Sequence, residues 1–180
     1  MEETPVYYYR HYVSKNPNSL IARRIFIESL IDCNLIDEAQ KEINQAKNIF
    51  LENQILFDVY QCKIDHIIGD RESSVNKLVE YSKHNFKYHE LLNIAEILAS
   101  IGSFEKALVV YEKAHKSQTI GNRKIDSLLA QIHIKRLLKE PDDTLILFKE
   151  IYDIFKDDYQ EIDGDEITAI RELQLTIAST

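Results

Sequence analysis

Glycine and proline are scarce in this chain, with four Gly and three Pro among 180 residues. β-Sandwiches and nucleotide-binding α/β sheets need many more for their turns, so the scarcity points to long helices joined by tight connections. Tryptophan is absent, and seven Phe and ten Tyr supply the aromatic packing. Cys33 and Cys62 are the only cysteines; they form no metal or redox motif and are too few for a disulfide framework. Both are expected as reduced, buried thiols. No apolar run approaches the roughly 18 residues that a membrane-crossing helix needs. The acidic start, Met1-Glu2-Glu3, is followed by no uninterrupted apolar stretch of signal-peptide length, so a cytoplasmic protein with no membrane partner is expected.

What is present suits a folded protein: 44% hydrophobic and 29% charged residues, in a chain long enough to bury a substantial core. The net charge of −8 is unevenly spread. From Lys139 onward there are 4 basic and 12 acidic side chains, whereas the first 138 residues hold 18 of each. An acidic surplus of this kind repels nucleic acid, which is therefore not an expected partner. It fits a solvated acidic end, or one that attracts a basic partner.

The main signal is an internal repeat. Asn34-Leu35-Ile36-Asp37-Glu38-Ala39 and Gly102-Ser103-Phe104-Glu105-Lys106-Ala107 share one pattern: a turn residue, an apolar residue two places on, an acidic residue next, and an alanine five places on from the turn residue. The two alanines lie 68 residues apart, which is twice 34. Ile43 and Ala46 follow the first, Tyr111 and Ala114 the second, at i+4 and i+7 on one stripe of an amphipathic helix. Upstream stand Arg23, Phe26, Ile27 and Leu30 in the first copy, and Leu91, Ile94, Ala95 and Leu98 in the third. Lys15-Asn16-Pro17-Asn18-Ser19 punctuates the chain before the first copy, with Pro stopping one helix and a polar residue capping the next. The second copy departs from the pattern: Gly69-Asp70 comes one residue late, and Ser73-Ser74 replaces the small alanine.

The 34-residue period and these motifs resemble the tetratricopeptide repeat. The resemblance implies an all-α fold, a right-handed superhelix of antiparallel helical hairpins forming one domain over 1–180. Hairpins are expected at 20–53, 54–87, 88–121 and 124–157, preceded by a helix over 5–16 and closed by one over 165–178. The leading helix is expected to pack Tyr8, Tyr9, Tyr12 and Val13 onto the first hairpin. Pro141 is expected in the first turn of the last hairpin's second helix.

In that family the first helix of each pair lines a concave groove that takes an extended peptide or a helix. Carried over residue by residue, the lining consists of Arg24, Glu28 and Ile31, then Lys63 and His66, then Leu92 and Glu96, then Gln131. The implied function is protein–protein interaction, as an adaptor or chaperone whose partner is another protein or peptide, with no catalytic residues, metal or cofactor. Glu28 stands where clamps for a terminal carboxylate place an Asn, and Glu96 shares that face; such a carboxylate would be repelled. The neutral body, acidic end and basic connection also fit head-to-tail self-assembly into a homo-oligomeric scaffold.

Motifs for chemistry are incomplete. His89-Glu90-Leu91-Leu92-Asn93 begins like a zinc-protease helix but carries Asn93 where the second His is required. Asp163-Gly164-Asp165 lacks the bidentate Glu of a calcium loop, and Ile170 stands in its place. The six His are scattered, no Gly-rich phosphate loop occurs, and no Ser stands on a nucleophile elbow.

Overall fold

Side chains that satisfy free amides set several of the helix starts. Ser19 accepts a hydrogen bond from the Ala22 amide at 3.2 Å, capping the helix that Pro17 separates from the one before. The Glu90 carboxylate accepts from the Lys87 amide at 2.7 Å at the head of another. In the computed structural model the described residues are 5–118, 124–140 and 144–158. They form α1 (Pro5–Lys15), α2 (Leu20–Asp32), α3 (Ile36–Ile49), α4 (Gln54–Ile68), α5 (Arg71–Ser82), α6 (Tyr88–Ser100), α7 (Phe104–Ser117), α8 (Ile125–Leu137) and α9 (Thr144–Asp158), with a 3₁₀ turn at Leu51–Asn53. Among the described residues there is no strand, and the protein is all-α. The expected closing helix over 165–178, the acidic loop around Asp163 and the placement of Pro141 lie outside the described residues.

The chain divides into two compact units, Met1–His84 and Asn85–Thr180. In the first, each helix packs on its neighbour in the chain, and α2 also touches α4. In the second, α6 packs on α7, α7 on α8 and α8 on α9. Leu128 and Ile132 of α8 meet Phe148 and Ile151 of α9 in a buried cluster.

One turn recurs through both units. The helices α2, α4, α6 and α8 each end in a residue with positive φ: Asn34 (58°), Gly69 (118°), Gly102 (78°) and Lys139 (62°). In every case the next amide reaches back five residues: Leu35 to Leu30, Asp70 to Asp65, Ser103 to Leu98 and Glu140 to Lys135, at 2.8–2.9 Å. The left-handed residue itself donates to a carbonyl three back, completing the double closure of a Schellman turn. These turns recur at intervals of 35, 33 and 37 residues.

Five places beyond each left-handed residue the chain carries a small or short buried side chain: Ala39, Ser74, Ala107 and Thr144. Ser74 explains the departure seen in the second copy. It is fully buried and donates its hydroxyl to the Asp70 carbonyl, so it fills an alanine-sized space without leaving a polar group unpaired. Ala22, Ala46, Ala95 and Ala114 are likewise fully buried and allow close helix approach.

Two expectations are corrected. In α1 it is Val6 and Val13 that are buried; Tyr8 and Tyr12 are 58% and 43% exposed. The helix carries two apolar stripes, and the valines, which have no hydroxyl to satisfy, take the inward one. Cys62 is buried as expected, but Cys33 is exposed at the end of α2.

Candidate functional site

Helix α2 turns one stripe outward that begins apolar and ends acidic. Ile21 is 67% exposed, Ile25 follows one turn later, and Glu28 and Asp32 complete the stripe. Arg24 is half-buried, and its Nε donates to the Tyr60 hydroxyl of α4 over a long 3.4 Å. Lys63 of α4 is largely covered and reaches Asp32 at 3.0 Å, so it links α4 to the end of α2. His66, one turn beyond Lys63, has a buried Nδ1 with no hydrogen-bond partner among the described residues. Ile31 is 4% exposed and belongs to the core, which removes it from the expected lining. Glu28 lies exposed and forms no ion pair among the described residues.

Beside this stripe, α1 and α2 enclose an open cleft of about 320 Å³. Pro5 and Tyr9 of α1 form one wall, and Ile25 and Ser29 of α2 the other, while Glu28, Asp32 and Cys33 stand at the acidic end. Tyr9 meets Tyr8 edge-on at 5.4 Å, and Tyr8 stacks on Tyr12 with ring planes 4° apart. An exposed aromatic surface thus runs on from the cleft. Glu28 stands out in the sequence, but the cleft does not. The signal available was the acidic residue at i+4 from Glu28 and the tyrosines one helix earlier, and it becomes a site only once α1 folds back on α2.

In the second unit the expected residues differ in availability. Leu92 is half-buried and Glu96 exposed on α6. Gln131 of α8 is 3% exposed, and its Nε2 has no hydrogen-bond partner among the described residues; it is a packed polar residue and not an open lining. The Tyr111 hydroxyl is pushed above its ordinary range, first by burial and then by the nearby Glu96 carboxylate.

Three side chains far apart in sequence meet between α7, α8 and α9. His115 Nε2 lies 2.9 Å from a Glu150 carboxylate oxygen, and its Nδ1 lies 3.5 Å from Ser127 Oγ. The order Ser–His–Glu imitates a nucleophilic triad, but the geometry does not serve one. Ser127 is fully buried and donates its hydroxyl to the Lys124 carbonyl at 2.7 Å. A buried hydroxyl that is donated to the backbone is not held ready as a nucleophile. The trio instead ties three helices together.

Among the described residues, no three His, Cys, Asp or Glu side chains gather as a metal site would require, and no helix is long and apolar enough to cross a membrane. No family model matches the chain, and no curated protein or solved structure matches it. The class defined by the structure is therefore an all-α protein of helical pairs closed by a recurring left-handed turn.

Proposed function

We propose that the protein is an interaction module of the tetratricopeptide kind, an adaptor or chaperone that holds a segment of another protein against the first helices of its hairpins. One observation supports this reading above others. Four helices end in the same left-handed turn at spacings near 34 residues, and each turn is followed five places later by a small or short buried side chain. Hairpins so built bury their faces on neighbours, and within each unit their first helices keep side chains open to a partner. The contact of α2 with α4 in the first unit agrees with that arrangement.

In the first unit Arg24, Glu28 and Lys63 offer polar contacts that fix register, and in the second unit α6 offers apolar Leu92 beside Glu96. A cytoplasmic location goes with this reading. The test is a pull-down from the native cell with wild-type protein and with a variant carrying both Arg24→Glu and Glu96→Lys. Recovery of the specific partner should fall by about tenfold, the effect of losing ~1.4 kcal/mol of binding. Unchanged recovery, with a melting curve that shows the variant folded, would overturn the groove.

A further inference from the structure

The geometry points to the cleft between α1 and α2 as a docking site for an arginine or lysine side chain of a protein partner, flanked in that partner by an apolar residue. This inference rests on the interaction-module reading and names the chemistry that its first hairpin selects.

Two carboxylates stand one helical turn apart at the mouth of the cleft, and they differ in state. Asp32 is already met by Lys63 at 3.0 Å. Glu28 is exposed, lines the cleft, and has no cationic partner among the described residues. Arg24, one turn earlier on α2, is the nearest candidate by helical spacing, yet its guanidinium is turned towards Tyr60. Among the described residues the cleft therefore carries one carboxylate, that of Glu28, with no cation paired to it.

The walls add the second half of the fit. Pro5, Tyr9 and Ile25 present apolar surface on both sides of the opening. A long basic side chain lays its methylenes on such walls while its charged head stays in water beside a carboxylate. The tyrosine faces that continue from Tyr9 through Tyr8 to Tyr12 suit a guanidinium, which stacks on aromatic rings. Exposed Ile21 extends α2's stripe past the cleft and gives the partner's apolar neighbour a place to rest. An acidic or carboxylate-ended partner meets like charge here.

A bead library of acetylated, amidated dodecapeptides built from Lys, Arg, Glu, Leu, Phe and Ala is the probe. Selection on the full chain should return peptides with Arg or Lys next to Leu or Phe. Measured by fluorescence anisotropy, Glu28→Lys should weaken the best of them by about tenfold, and Glu28→Gln by about threefold, as expected when charge pairing at an exposed carboxylate is reversed or lost. Cys33, which lines the cleft, provides a local readout: the bound peptide should slow its alkylation by iodoacetamide. Selected peptides without basic residues, or basic peptides that bind Glu28→Lys undiminished and leave Cys33 unprotected, would overturn the inference. Peptides that lose binding on Glu96→Lys but ignore Glu28 would overturn it while sparing the groove. A wild-type protein that retains no peptide would overturn both.

Discussion

At the scale of the residue, the two cysteines show how burial sets chemistry. Cys62 is 2% exposed, and its thiol is pushed from an ordinary 9.0 up to about 11, first by desolvation and then by the Asp65 carboxylate, against a smaller opposing effect of Lys77. A thiol that holds its proton more tightly in the folded chain contributes stability in full below pH 9. That contribution is lost as pH climbs from 9 towards 11, and it amounts to ~3 kcal/mol at most. Urea unfolding from pH 8 to 11 should therefore show falling stability, and Cys62→Ala should flatten the fall between pH 9 and 10. Tyr111, raised in the same direction, preserves part of the loss at higher pH in both proteins. An equally steep fall in Cys62→Ala would exclude the burial account. Alkylation at neutral pH, followed by mass spectrometry, should modify exposed Cys33 and spare Cys62 until the chain unfolds. The sequence could not separate the two thiols, because Cys33 lies at the helix end where the last turn opens to solvent.

At the scale of the element, the hairpins were legible wherever volume forced a residue type. Ala39 and Ala107 are fully buried, where close helix packing leaves room only for a small side chain, and each stands five places beyond a left-handed turn. The frame was obscured where other chemistry met the same demand. Ser74 does so by returning its hydroxyl to the backbone, and Asn34 and Lys139 take a left-handed turn without glycine. The turns at Asn34, Gly69 and Gly102 were legible, whereas the one at Lys139 was not. This difference is measurable. A side chain at positive φ costs on the order of 1 kcal/mol more than glycine there, so Lys139→Gly should stabilise the protein by up to ~1 kcal/mol. Gly69→Ala should destabilise it by a similar amount, although open space surrounds the added carbon. Denaturant midpoints read both; a destabilising Lys139→Gly would mean that something other than backbone strain governs that turn. The packing of Tyr8 and Tyr12 differs from expectation for a further reason: a 3.6-residue period admits two stripes on α1, and the phenol hydroxyls, which need a partner when buried, favour the exposed one.

At the scale of the whole molecule, burial decides which side chains a partner could meet. The candidate residues divided by burial: Arg24, Glu28, Lys63, Leu92 and Glu96 retain access or polar reach, while Ile31 and Gln131 are spent on packing. A carried-over lining could not foresee this, since a helix position fixes a side chain's direction but not how closely the next helix approaches. The cleft beside Glu28 was illegible for the same reason, because it exists only between two helices. The most direct measurement of the central claim is photo-crosslinking in the native cell from benzoylphenylalanine placed at Leu92 or Glu28, with Val109 and Lys41, exposed on second helices, as controls. The account predicts adducts to one and the same partner protein from Leu92 and Glu28, and none to that partner from Val109 or Lys41. Adducts of equal yield from all four positions, or adducts only between two copies of this chain, would contradict it.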